Sequence, residues 1–260
     1  MIASLKSMLL KTPFYPWAKG AYRHTVRRDY LKARAELESF YRPLVKSGAL
    51  VYDVGANHGD FSDAYLHLGA RVIAVEPHPG CAAELRALYG RNPRFHVLQA
   101  ALGAAPGEVS LHLGEGGMDN VSTVSEDYIR EASKLPGLAV AGWSRTVAVK
   151  QETLEDLIGR FGVPDFCKID VEGYELDVLK GLRRALPLLQ YEYQCWATEK
   201  AMECAEYLTT LGMTRFNITL GSNRLEAAAL LPEWMGTSGL ANALRKAEGE
   251  QLIGDVFAMA

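Results

Sequence analysis

The sequence predicts an α/β fold built on a doubly wound, mostly parallel sheet, and three observations predict it. Short apolar runs at Leu50 to Val54, Arg71 to Val75 and Phe95 to Leu98 alternate with amphipathic segments, the pattern of βαβ units. Glycines stand where the intervening helices should stop, Gly69 after Phe61 to Leu68 and Gly90 after Cys81 to Tyr89. The first strand also runs straight into a glycine turn, "VYDVGANHGDFS" from Val51 to Ser62, at the sheet edge where open α/β folds bind ligands.

The elements follow in order. Asp29 to Val45 has Leu31, Ala35, Leu37, Phe40, Tyr41 and Leu44 at helical spacing, with Pro43 and then Ser47-Gly48 to end it. After the three strand and helix units, Glu108 to Leu113 and Arg145 to Val149 read as strands around an insertion, Gly114 to Gly142, rich in Gly, Ser, Asp and Asn. An insertion of that length in a compact domain is usually functional, here a lid or substrate loop. The alternation resumes with a helix at Glu152 to Phe161, a strand at Phe166 to Ile169, a helix at Glu175 to Arg184, a strand at Leu188 to Tyr193 and a helix at Lys200 to Leu211. Thr214 to Leu220 and Gln251 to Ala258 complete the sheet. The expected organisation is a basic leader with an N-terminal helix over residues 1–48 and one ligand-binding domain over residues 49–260.

Composition narrows the function classes. The 260 residues carry a formal charge of −3, which argues against nonspecific nucleic-acid binding. A local exception is the acid-free stretch from Met1 to Arg28, where Lys6, Lys11, Lys19, Arg23, Arg27 and Arg28 interleave with apolar and aromatic residues. It suits a peripheral membrane contact, although Pro13 and Pro16 interrupt any long helix. No stretch is apolar for long enough to span a bilayer or to resemble a signal peptide, so a cytoplasmic protein is expected, with homo-oligomerisation left open. Cys81, Cys167, Cys195 and Cys204 form no C-x-x-C pair, so neither a zinc site nor a disulfide framework is indicated.

The glycine turn selects among nucleotides. Gly59 is followed by Asp60-Phe61 rather than Lys-Ser or Lys-Thr, which excludes a P-loop. The dinucleotide fingerprint fails as well, because Asn57 replaces its second glycine and Asp53 and Asp60 would repel a pyrophosphate. An anionic strand end beside a helix N-terminus suits a zwitterion that also carries a cation, and S-adenosylmethionine is such a ligand. Glu76 ends the second strand, placed to accept both ribose hydroxyls, with Pro77 closing the strand. The third strand ends at Gln99-Ala100, where the adenine edge should lie. Asp53, Gly55, Asn57, Gly59, Glu76, Pro77, Gln99 and Ala100 are therefore the candidate cofactor residues. His58 and His78 lie close enough to touch ligand.

A second dense stretch is "DFCKIDVEGYELDVLKG", Asp165 to Gly181. On an extended backbone Lys168, Asp170 and Glu172 all point to one side, at the carboxyl edge of the sheet. Asp170 or Glu172 could take a proton from an acceptor hydroxyl, while Lys168 orients a carboxylate or steadies an oxyanion. Glu192 in "QYEYQ" ends the next strand on the same edge. Asp170, Glu172 and Glu192 could supply oxygen ligands to magnesium, but nothing in their spacing demands it and no metal is assigned.

These stretches resemble one family. "VYDVGANHGDFS", "VIAVEPHP", "QAALG", "TLEDL" and "KIDVEGYELDVLKG" occur in the order found in the FkbM family of S-adenosylmethionine-dependent methyltransferases. The resemblance runs from Leu50 to Asn217. It implies a class I, Rossmann-like, seven-stranded sheet with an antiparallel last strand, and O-methylation of a hydroxyl on a sugar or glycan, a polyketide or another secondary metabolite. It also implies a donor pocket at Asp53, Gly55, Asn57, Gly59 and Glu76 and an acceptor side at Asp170 and Glu172. Gln194 stands where family members often carry histidine, and Asn120, Ser122 and Thr123 in "GMDNVSTVS" match an acceptor-contact region loosely. The alternatives are an RNA ribose or protein methyltransferase on the same scaffold, and a cofactor-binding, non-catalytic scaffold of a biosynthetic complex.

Overall fold

The computed structural model describes residues 28–114, 121–135, 142–220, 230–250 and 253–260. The basic leader and Asn120 lie outside them. The elements in chain order are α1 (Arg28–Tyr41), β1 (Leu50–Val54), α2 (Asp60–His67), β2 (Arg71–Val75), α3 (Pro79–Tyr89), β3 (Phe95–Leu98), β4 (Ala101–Leu102) and β5 (Gly107–Leu113). They continue as α4 (Glu126–Ala132), β6 (Arg145–Glu152), α5 (Leu154–Phe161), β7 (Phe166–Ile169), α6 (Glu175–Lys180), β8 (Leu189–Tyr193), α7 (Thr198–Thr210), β9 (Arg215–Ile218), α8 (Thr237–Gly249) and β10 (Gly254–Met259).

Seven strands form one sheet in the order β3-β2-β1-β7-β8-β10-β9. Pairing is parallel from β3 through β8, and β10 runs antiparallel to both neighbours. β1 and β7 are buried along almost their whole length, as expected for strands covered on both faces. Val51, Phe166, Leu188 and Phe257 point toward α1, α2 and α3, whereas Tyr52, Cys167, Ile169 and Tyr191 point toward α5, α6, α7 and α8. The chain order reverses between β1 and β7, and this switch opens a crevice at the carboxyl ends of those two strands.

Three features add to the sequence expectations. α1 is packed into the core, with Leu37 and Tyr41 buried beside Tyr65, Phe166 and Phe257. α8 has no counterpart in the sequence reading, although Leu240, Leu244 and Ala247 are buried at helical spacing. β5 and β6 do not join the main sheet. They pair antiparallel with each other, and β6 pairs with β4, in a three-stranded sheet of its own.

That small sheet governs the insertion. Leu113 and Arg145 are register partners, so the chain leaves and returns at one place. The described part of the insertion is folded: Thr123 forms a β-bridge with His112, and α4 starts at Ser125, whose hydroxyl accepts from the Tyr128 N–H. Among the described residues no helix is long and apolar enough to cross a membrane.

Candidate active site

The glycine turn after β1 is held from three sides. Gly55 and Ala56 both donate backbone N–H groups to the Val75 carbonyl at the end of β2. Gly55 has φ +81, and a β-carbon there would collide with the Asp170 carbonyl oxygen, so only glycine lets the turn lie against the end of β7. Asn57 is left-handed at φ +46, a conformation that asparagine tolerates better than most residues. Gly59 has φ +84, and a β-carbon would stand 2.5 Å from Leu85 on α3. It starts α2 without a side-chain cap, which leaves the first turn of that helix suited to an anionic group.

Glu76 ties the turn to the end of β2. One carboxylate oxygen accepts from the Asn57 N–H and the other from the His78 N–H, each at 2.7 Å. Burial raises its pKa to about 7 against these hydrogen bonds. Pro77 is half-buried beside it, and the His78 ring turns to cap α3.

Asp53 lies deeper than the sequence suggests. It is fully buried, with one oxygen accepting from the Ser62 hydroxyl at 2.5 Å and the other without a hydrogen-bond partner among the described residues. Burial is the main cause that raises its pKa, and Lys168, its register partner on β7, opposes the shift.

The adenine-edge residues divide. Ala100 is buried, whereas the exposed Gln99 side chain accepts from Arg86 on α3. The His58 ring engages Glu84 at 3.3 Å and faces Cys81, both on α3.

Across the crevice, the carboxylates of Asp170, Glu172 and Glu192 converge, with oxygens within 4.8 Å of one another. The continuous extended strand expected for Lys168 to Glu172 is not what assembles them. β7 stops at Ile169, and Glu172 takes a left-handed φ of +56, which swings its carboxylate back over the edge. Burial and then the Asp170 charge raise the Glu172 pKa to about 8, and burial, Asp170 and Glu172 also raise Glu192. Crowding of this kind is relieved when a carboxyl keeps its proton. Oxygens so placed are also the donor type that a hard cation takes.

Of the two roles expected of Lys168, its position suits holding a carboxylate in place. Its side chain is 1% exposed, donates to Asp170 at 2.7 Å and lies over the Phe61 ring at 4.2 Å. It works from beneath, as the counter-ion of Asp170. Thr123 is likewise buried, its hydroxyl donating to the Glu172 carbonyl at 2.7 Å and accepting from the Ser125 N–H. Ser122 accepts from the Gly114 N–H. Both fasten the insertion in place and do not face an acceptor through these bonds.

The structure adds Glu175 and Asp255, which sequence reasoning missed, and gives Gln194 a partner. Glu175 accepts from the N–H groups of Val171 and Gly173 and closes the Glu172 turn. Gln194 donates to Glu192 at 2.7 Å. Asp255 is the β10 register partner of Glu192, and burial raises its pKa to about 6. Beyond Glu192 a cavity opens between α6 and α7, lined by Leu176, Tyr193, Gln194, Ala197 and Lys200.

Residues 53–216 match the Methyltransferase FkbM domain. The chain belongs to the FkbM methyltransferase family. Within this family chain, the glycine turn, the uncapped start of α2 and Glu76 fit S-adenosylmethionine as the methyl donor. The hexuronic acid methyltransferase AglP of Haloferax volcanii is 28% identical over 201 residues, covering 72% of this FkbM chain and 76% of AglP. The FkbM chain also overlaps a precorrin-6y C5,15-methyltransferase of Geobacter metallireducens at 11% identity and TM-score 0.41, covering 88% of this chain and 89% of that one. A SAM-dependent O-methyltransferase of Thermotoga maritima overlaps it at 13% identity and TM-score 0.40, covering 85% and 63% respectively.

Proposed function

We propose that the protein is an S-adenosylmethionine-dependent O-methyltransferase that methylates a hydroxyl of a sugar or related polyhydroxylated small molecule. The observation that carries this reading is the contact between the two halves of the site. The Gly55 turn lies directly against the Asp170 carbonyl, so a donor seated at the turn has its reacting end beside the carboxylate cluster. The sugar class is supported by the relative named a hexuronic acid methyltransferase, and by polar side chains in the cavity lining that are able to bond hydroxyl groups, Glu192 and Gln194 among them.

Bound S-adenosylmethionine supplies an electrophilic methyl group on a positively charged sulfur. The protein's own residues do the rest. Glu76 orients the ribose through the carboxylate that also organises the turn, and α2 presents its uncapped N-terminus to the donor carboxylate. Glu172 is placed to take the acceptor proton; with its pKa raised to about 8 by burial and the Asp170 charge it is a stronger base than an ordinary carboxylate, acting through its ionised form, the minor one at neutral pH. Asp170, paired with Lys168, stays fixed beside it. Most of the rate enhancement then comes from alignment of acceptor and donor in a site shielded by the insertion.

The first experiment is calorimetric titration of wild type and Glu76→Ala with S-adenosylmethionine, S-adenosylhomocysteine and NADH. Both adenosyl ligands should bind, NADH should not, and the variant should lose affinity by about tenfold or more, as expected for lost charge-assisted hydrogen bonds. Wild type that binds NADH, or neither adenosyl ligand, would refute the assignment. Methyl transfer from radiolabelled donor to methyl glucosides, glucuronides and hydroxylated polyketides then ranks the acceptor classes.

A further inference from the structure

The cavity beyond Glu192 carries both kinds of charge, and the two stand apart. Glu192 accepts from the buried Gln194 at 2.7 Å, and its carboxylate belongs to the cluster with Asp170 and Glu172. Glu175 also borders the cavity, but one of its oxygens already accepts from the N–H groups of Val171 and Gly173. Among the described residues, Lys200 on α7 is the one cationic side chain in the lining. Its side chain is 44% exposed. The cation therefore stands toward the mouth, while the groups that bond hydroxyls lie deeper.

Lys200 is held in a way that suits exchange. Its ammonium donates to Asp127 on α4 at 3.1 Å, an ion pair that joins the insertion to α7. Both side chains are about half exposed, and ion pairs so exposed contribute little to stability. Asp127 does not depend on Lys200 for a counter-charge, because Arg130 donates to its other carboxylate oxygen at 2.7 Å. An ammonium has three donors, and Asp127 takes one of them. An anion at the mouth can thus take Lys200 without stranding a buried charge.

We propose that Lys200 is a specificity-determining residue that binds a carboxylate of the acceptor, a hydroxylated ring acid of the uronic acid type, with Asp127 as the resting counter-ion that it leaves. This rests on the reading above that the acceptor hydroxyl lies at the carboxylate cluster. The acceptor carboxylate sits on Lys200 at the mouth, and the ring hydroxyls reach Glu192 and Gln194. A neutral sugar engages only the deeper groups. One cation matches one negative charge, whereas a phosphate group near −2 would bring a second charge toward Glu175 and Glu192 with no cation in the lining to pair it.

The test is a ligand-observed NMR titration of the full chain without donor, using methyl glucuronide and methyl glucoside, which differ only in carboxylate against hydroxymethyl. Wild type should bind the glucuronide about tenfold more tightly, the scale of one charge-assisted hydrogen bond. Lys200→Met keeps an apolar stem and should bring the two affinities within about twofold of each other. Asp127→Asn removes the competing partner and should tighten the glucuronide by about twofold or more, the scale of a surface ion pair.

Equal binding of the two sugars by wild type, or binding of neither, overturns the proposal. So does a glucuronide preference that survives in Lys200→Met, an unchanged or weakened glucuronide complex in Asp127→Asn, or tighter binding of glucose 6-phosphate than of the glucuronide. Methyl transfer to neutral glucosides with no preference for the glucuronide would remove the role of Lys200 and leave the proposed function standing. A preference that depends on Lys200, in a protein that binds neither adenosyl ligand, would count against the proposed function alone, because the titration is read without donor.

Discussion

Gly55 shows how one residue couples two halves of the site. Its position needs a left-handed backbone and no side chain at once, because the Asp170 carbonyl occupies the space a β-carbon would take. Gly55→Ala should therefore destabilise by at least about 2 kcal/mol, the left-handed backbone alone costing about 1–2 kcal/mol for alanine. Urea unfolding measures it, and a loss below about 0.5 kcal/mol, the usual range for surface substitutions, would show that the turn and β7 are not in contact. Lys168 makes the complementary point. The sequence shows a lysine two residues before an aspartate, but burial decides whether that lysine meets an acceptor or supports its neighbour from below.

At the scale of the element, α1 is part of the core rather than an appendage to it. Tyr41 stacks edge to face on Tyr65 at 5.0 Å, lies 5.7 Å from the Phe166 ring and donates to Gln190 on β8 at 2.9 Å. The hydroxyl thus meets a buried polar side chain in the middle of the sheet, and its removal would leave Gln190 with a lost partner. A chain starting at residue 49 should fail to fold or should aggregate, because Leu37, Tyr41 and Val45 cover apolar surface on Phe166 and Phe257. Circular dichroism and size-exclusion chromatography of that truncation decide it. A monomeric, cooperatively folded product would restore the boundary at residue 48. The insertion is a second example, because β5 and β6 pair at its base and Thr123 bonds to the Glu172 carbonyl.

For the whole molecule, the buried acids set an unusual pH dependence. Glu76 and Glu175 are raised to about 7, Glu172 to about 8 and Asp255 to about 6, each mainly by burial. A carboxyl with a folded pKa above its unfolded one binds more protons in the native state across the interval between them. Stability therefore falls as pH rises from near the unfolded carboxylate range to about 8, the reverse of the usual salt-bridged acid. The melting temperature of ligand-free protein should drop by several degrees, roughly 5 °C or more, between pH 5 and pH 8. A flat or rising profile over that interval would mean that these acids are ionised and compensated in the native state. Binding a cationic donor beside the cluster should reduce the slope, since it favours the ionised forms.

Local signals determined much of this protein. The apolar runs at Leu50, Arg71, Phe95 and Phe166 give strands β1, β2, β3 and β7 at the bounds expected for them, because short apolar runs closed by turn residues are the pattern of strands in βαβ units. The glycines at 55 and 59 and the acid at 76 mark the donor turn, since few residues can adopt that backbone and few can end that strand. The sequence could not show which charged groups would end up buried, because burial depends on what the rest of the chain lays over them. Asp255 meets Glu192 only through antiparallel pairing of strands 60 residues apart in the chain. Glu172 joins the cluster only through a left-handed turn, and Thr123 reaches the Glu172 carbonyl only because β5 and β6 pair at the base of the insertion. Period and glycine placement act over a few residues and are written locally. The sequence put Asp170, Glu172 and Glu192 on one sheet edge, but their burial and the proton affinities that follow are decided by long-range packing, and so belong to the tertiary structure.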